Sequence, residues 1–186
     1  MAVSPFLWRA FMTADEIIQL LHLQPHPEGG FYRETYRSEK QIPGLDRVYS
    51  TGIYYMLVPG SISKFHALKN DEMFHFYLGS SVTWVLLHKN GEVEKVVLGH
   101  DIKNGQQLQL LVKAGTWFGG YLNDGGQFGL MGTTVAPGFD FADFVFGKKE
   151  KLLTEFPSAE NEINRLARKP LNGGVTMASL NQGETF

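Results

Sequence analysis

Residues 60–79 read Gly60-Ser61-Ile62-Ser63-Lys64-Phe65-His66-Ala67-Leu68-Lys69-Asn70-Asp71-Glu72-Met73-Phe74-His75-Phe76-Tyr77-Leu78-Gly79. Five residues separate Gly60 from His66, one separates His66 from Leu68, three separate Leu68 from Glu72, and six separate Glu72 from Gly79. Glycine closes both ends, and residues 72–79 are strand-sized and rich in aromatics. A histidine and a glutamate therefore sit within one compact β segment. In a regular strand Lys64 shares the face of His66, whereas His75 has opposite parity to Glu72. Only a bulge would bring His75 to the same side.

Strand and turn signals continue in both directions. Upstream, Thr13-Ala14-Asp15-Glu16 forms a capping box ahead of an apolar stripe of Ile17, Ile18, Leu20 and Leu21 that ends near Leu23. Pro25, Pro27 and Gly29-Gly30 then break the chain. Residues 31–37 alternate as a strand. Residues 49–58 are β-branched and aromatic enough for burial on both faces. Downstream, strands are expected over 82–88, 92–98, 107–112 and 127–135, with hairpin turns at Asn90-Gly91 and Asn104-Gly105. Gly119-Gly120 and Gly125-Gly126 read as turns. Asp140 to Phe146 is short and aromatic, and residues 159–168 form a helix with Ile163 and Leu166 on its apolar side. Short strands at regular spacing predict an all-β barrel or sandwich with helical flanks.

Composition narrows the function. A chain of 186 residues supports one domain with a substantial core. The expected division is a flexible arm over 1–12, one domain over 13–170 and a loose tail over 171–186. The formal charge of −2 gives no field to steer the chain to nucleic acid or an anionic membrane. No cysteine is present, which excludes disulfides, thiolate metal sites and thiol nucleophiles and accords with a cytoplasmic location. No apolar run approaches a bilayer span, and the N-terminus lacks the pattern of a signal peptide.

The spacing of Gly60, His66, Glu72 and Gly79 resembles the first motif of the cupin superfamily. Three segments resemble one branch of it, the DUF985 or cupin-5 family. They are Pro25 to Ser38 (PHPEGGFYRETYRS), Ser50 to Leu57 running into the histidine motif, and Val135 to Phe144 (VAPGFDFADF). The resemblance implies a double-stranded β-helix, a jelly-roll barrel with a pocket inside, and a homodimer. It implies no settled reaction, because that family is better known by fold than by activity, and one barrel hosts many chemistries.

The resemblance also implies a metal site of three histidines and a carboxylate, a donor set suited to iron, manganese, nickel or zinc. His66 and Glu72 stand at two of those positions. Leu68 stands where the second histidine belongs, and Phe118, after Lys113-Ala114-Gly115-Thr116-Trp117, where the last does. Neither side chain ligates a cation, so no metal and no other cofactor is expected. His88 and His100 read as surface residues, and His26 as a turn-stabilising group.

What remains inside such a barrel is His66 beside Glu72, an acid–base pair in which the carboxylate would set the imidazole's tautomer. Strand alternation puts Arg33 and Arg37 on one face and Glu34 on the other, so two guanidiniums and Lys64 could meet an anionic group. Trp117, Phe118, Phe139 and Phe141 offer flat surfaces for a ring. His75 completes the candidate ligand-binding set. The expected function is metal-independent binding of a small polar, anionic, ring-containing ligand of nucleotide or nucleotide-sugar type. The first alternative is an epimerase or isomerase using His66 and Glu72, with Lys64 or a tyrosine as acid. The second is a metal-dependent oxygenase, against which Leu68 and Phe118 speak.

Overall fold

The computed structural model describes residues 12–167. Apart from Met12, the arm expected over 1–12 lies outside the described residues, as do the end of the domain and the tail expected over 171–186. Eleven strands make two antiparallel sheets. The first sheet has the order β1 (Gln24–Pro25), β2 (Phe31–Arg37), β3 (Thr51–Leu57), β10 (Gly129–Ala136), β5 (Asp71–Gly79), β8 (Gln109–Val112). The second has the order β11 (Phe144–Phe146), β4 (Ile62–Leu68), β9 (Trp117–Leu122), β6 (Val82–Leu87), β7 (Val93–Leu98). Neighbours distant in sequence, such as β3 and β10, pair in full register, which gives the jelly-roll barrel.

Three apolar clusters hold this arrangement. The largest lies between the sheets around Trp84, Phe74, Phe118, Tyr55 and Met131. Trp84 is fully buried, 4.2 Å from the Phe74 ring and 6.4 Å from Tyr55. Among the described residues its indole nitrogen has no hydrogen-bond partner. A second cluster seals the outside of the second sheet with α2 (Lys149–Glu155) and α3 (Glu160–Leu166), through Leu152, Ile163 and Leu166. A third packs α1 (Ala14–Leu20) on the first sheet through Ile17, Leu23 and Met56. The Thr13–Glu16 capping box forms as expected, with the Glu16 N–H donating to Thr13 Oγ1 at 3.2 Å. Leu20, expected in the apolar stripe, is 66% exposed.

Several expectations need correction. Gly119 and Gly120 are not a turn but the middle of β9. A Cβ on Gly120 would lie 2.8 Å from the Trp84 ring, and one on Gly119 would lie 2.9 Å from the Ser63 carbonyl, so glycine here permits close packing. The helix expected over 159–168 ends at Leu166, and α2 precedes it unforeseen. The segment 49–58 is buried on both faces only over Tyr55–Leu57, where α1 covers its outer side.

Two bulges decide which side chains reach the interior. In β2, Glu34 pairs with Ile53 but Tyr36 with Gly52, so Thr35 is an extra residue. In β4, Ser63 pairs with Gly120 and His66 with Phe118, so three steps on one strand match two on the other.

Candidate functional site

One end of the barrel holds a cavity of about 550 Å³. Its walls come from β2, β3, β4, β5 and β10, and its mouth from the segment Phe139–Phe144. The buried floor is polar. His66 on β4, Glu72 on β5, Tyr55 on β3 and the His26–Glu28 turn between β1 and β2 all line it.

His66 does not pair with Glu72 as expected. Its Nε2 lies 3.1 Å from Glu28 Oε2, and its Nδ1 lies 2.7 Å from the Lys64 carbonyl oxygen. The ring is held between Phe118 at 4.1 Å and Phe144 at 4.9 Å, nearly parallel to the latter. Burial in that aromatic slot lowers the imidazole pKa to about 4, partly offset by the bond to the Lys64 carbonyl. Glu28 is the residue that sequence reasoning missed. It is 6% exposed, and its Oε1 accepts the Ser63 hydroxyl at 3.0 Å. Burial raises its pKa, opposed by His26, by the neighbouring Tyr55 hydroxyl, by the hydrogen bond from Ser63, and by Lys64. Proline and the glycine pair around Glu28 announced a turn, but nothing local shows that the turn folds inward.

His26 both stabilises that turn and lines the cavity. Its Nδ1 accepts the Glu28 N–H at 3.3 Å, and its ring packs edge-on to Tyr32 at 4.5 Å. Burial lowers its pKa, with Glu28 acting the other way and His66 adding to the decrease. Glu72 is 7% exposed, and its pKa is pushed up to about 8 by burial and by Glu28, against a hydrogen bond from Thr133. At neutral pH it is therefore a protonated carboxyl, a donor. Burial keeps the Tyr55 hydroxyl protonated, and it donates to the Gly29 carbonyl at 2.7 Å.

The basic residues fall differently from the strand-parity expectation. The β2 bulge puts Arg37 on the side of Glu34, and the two pair doubly, Nη2 to Oε2 at 2.7 Å and Nε to Oε1 at 2.8 Å. Both are exposed and line the mouth. Arg33 does not reach the cavity and lies 5.6 Å over the Tyr54 ring. Lys64 is displaced by the β4 bulge, which turns Ser63 inward instead. Its ammonium sits 5.7 Å from the Phe146 ring, outside the lining. His75 keeps its outward parity and lies 3.2 Å from Thr134 Oγ1 and 3.0 Å from Gln109 Nε2.

Of the aromatics, Phe139 and Phe141 line the mouth, 5.0 Å apart and edge-on. Phe118 is core behind His66, and Trp117 faces the helix side of the second sheet. The mouth is braced by Asp143, whose carboxylate takes Arg47 Nε at 2.7 Å and Lys69 Nζ at 3.2 Å. Those bonds hold its pKa below the ordinary value. His100 is exposed, and His88 is partly exposed and hydrogen-bonded to Glu94 at 2.8 Å.

The donor set does not fit the metal centre that the motif spacing implies. Leu68 lines the cavity and Phe118 packs on His66, where further histidines would be needed. Among the described residues no group of three or more His, Cys, Asp or Glu is placed to hold a metal ion.

A family model described as the cupin superfamily (DUF985) matches residues 15–147. An uncharacterised protein of Saccharomyces cerevisiae is 34% identical over 166 residues, covering 80% of this chain and 82% of its own. A crystal structure from Shewanella oneidensis superposes with a TM-score of 0.81 at 39% identity, covering 86% of this chain and 100% of that one. A hypothetical protein from Leishmania major gives 0.80 at 30% identity, covering 85% and 100%. Oxalate decarboxylase from Bacillus subtilis shares the fold alone, with a TM-score of 0.51 at 16% identity over 81% of this chain and 37% of its own.

Proposed function

Since this chain belongs to the DUF985 family of the cupin superfamily, whose barrel does not dictate a chemistry, we propose that it binds a small polar, ring-bearing molecule in the barrel without a metal. The observation that carries this is the asymmetry of the cavity. Buried polar groups converge at its floor, and the edges and faces of Phe139 and Phe141 stand at its mouth. An acceptor oxygen on the ring takes the Glu72 proton. Among the described lysines and arginines only Arg37 lines the cavity to meet an anionic substituent, as in a nucleotide-sugar, and Glu34 competes for the same guanidinium. This shifts the expected ligand toward an uncharged ring with any charge held outside.

Isothermal calorimetry at pH 6.5 checks this with matched probes: a nucleoside diphosphate, a nucleotide-sugar and an uncharged cyclic sugar or lactone. Binding is expected for the ring-bearing uncharged or sugar-linked members. No heat and no thermal shift with any member would remove the reading.

A second reading, turnover as an epimerase or isomerase, is favoured by the His66–Glu28 contact, since two buried groups within hydrogen-bond reach can pass a proton. Incorporation of solvent deuterium into a bound ligand checks it. The described residues also leave Leu20, Tyr77 and Tyr36 at 66%, 44% and 55% exposure on the outer side of the first sheet. These support assembly as a homodimer through that face. Native mass spectrometry is expected to report a mass of two chains, and a strictly monomeric spectrum at micromolar concentration would refute it. No helix among the described residues is long and apolar enough to cross a membrane.

A further inference from the structure

The hydrogen-bond geometry at the cavity floor fixes where protons sit, and with them what a ligand must offer. A carbonyl oxygen only accepts, so the 2.7 Å contact to the Lys64 carbonyl requires the hydrogen of His66 on Nδ1. Its Nε2 then faces Glu28 Oε2 at 3.1 Å. A bare imidazole nitrogen and a bare carboxylate oxygen would repel at that distance, so one proton lies between them. The ring's other neighbours are Phe118 and Phe144, which offer no counter-charge to an imidazolium. The alternative, an imidazolium paired with a Glu28 carboxylate, would bury two charges, and burial opposes both, lowering the His66 pKa and raising that of Glu28, so the proton resides on Glu28 and is donated to Nε2. Glu28 Oε1 already accepts the Ser63 hydroxyl at 3.0 Å.

Glu28 thus spends its only donor on His66 and has only lone pairs left for the cavity. Glu72 is the opposite case, a carboxyl 7% exposed in the same cavity with no basic side chain paired to it among the described residues, so burial keeps its proton on it. His26 adds a second donor, because its Nδ1 accepts the Glu28 N–H and its hydrogen must lie on Nε2. The two carboxyls are close enough that the Tyr55 hydroxyl feels both. Two chemically identical side chains therefore present opposite hydrogen-bonding polarity to one cavity.

We propose that this cavity selects rings carrying a hydrogen-bond donor next to a carbonyl, with Glu28 accepting from the donor and Glu72 donating to the carbonyl oxygen. The inference rests on the binding reading above and narrows its ligand class. The shared chemistry is found in cyclic amides, where N–H adjoins C=O, and in cyclic hydroxy ketones, where O–H does. A site that pairs a buried donor and a buried acceptor rejects an analogue lacking one partner, because a polar group is then left unpaired.

The test uses two matched pairs on the full chain at pH 6.5: 2-pyridone against N-methyl-2-pyridone, and 2-hydroxycyclohexanone against 2-methoxycyclohexanone. In at least one pair the unmethylated member is expected to bind about tenfold tighter or more, and the pair that shows it identifies the source. Glu28→Leu is expected to erase that preference. Equal affinity within both pairs, or a preference that survives Glu28→Leu, overturns the proposal. If no probe of any class binds the wild-type chain, the binding reading fails by itself, and nitrogen NMR of His66 still decides the assignment. A neutral ring protonated at Nδ1 is expected, retained in Glu28→Gln, whose amide N–H replaces the carboxyl O–H toward Nε2. A neutral ring protonated at Nε2 would release the Glu28 proton to the cavity and overturn it.

Discussion

Gly29→Ala is expected to cost about 3 kcal/mol of stability or more, a fall in melting temperature of roughly 6–12 °C for a chain of this size. Gly29 has φ +118°, and a Cβ there would stand 2.0 Å from the Ile62 backbone oxygen on β4. The turn cannot move aside. The Lys64 N–H donates to the Glu28 carbonyl at 3.1 Å, and Tyr55 donates to that of Gly29 at 2.7 Å. The same bonds carry Glu28 to His66, so any residual folded protein is expected to lose the cavity floor as well. Gly44 supplies the comparison. Its φ is +78° but nothing lies within 4 Å of an added Cβ, so Gly44→Ala should cost only about 1 kcal/mol. Thermal denaturation of the two variants side by side checks the difference, and similar melting points would contradict it.

Ligand affinity is expected to fall about tenfold per pH unit above pH 8, and Glu72→Gln to abolish that dependence. Glu72 has a folded pKa of about 8 against an ordinary value of 4.5. The folded chain holds this proton where the unfolded chain has released it, so its contribution to stability declines as pH rises from 4.5 to 8. His66, lowered from 6.5 to about 4, acts in the opposite direction between pH 4 and 6.5. The clean window is therefore pH 6.5 to 8. Glu28, also raised by burial, acts in the same direction as Glu72. His26, lowered by burial, acts in the same direction as His66, and Tyr55 stays protonated. Glutamine at position 72 keeps a donor but cannot ionise, so the variant should bind equally at pH 7 and 9 and lose the Glu72 share of the stability slope. Wild-type affinity that stays flat to pH 9.5 would show that the Glu72 proton does not meet the ligand.

The barrel was legible because its signals are local: alternation on β5, glycine-marked turns, and the spacing from Gly60 to Gly79. The place of Glu72 in the cavity came with the family resemblance, while alternation alone turned His75 outward, away from the cavity in which the candidate ligand-binding set had placed it. The partner of His66 did not follow. Glu28 reaches it only because the turn after β1 folds into the barrel, a tertiary event with no periodicity to announce it. The joint placement of Arg33 and Arg37 on one face, and of Lys64 in the cavity, failed for a different reason. Strand parity holds only between bulges, and a bulge at Thr35 or between Ser63 and His66 leaves no residue pattern that alternation can detect. The cationic face anticipated for the cavity was broken up by those two irregularities.

Trp84 turns the barrel into its own optical gauge. Its indole lies fully buried, tilted against Phe74 and Tyr55, the rings that face the cavity from the other side. Emission from an indole without a hydrogen-bond acceptor is blue and sharp, and it responds to any change in polarisability next door. Filling or emptying the cavity can therefore be followed from within, without attaching a dye.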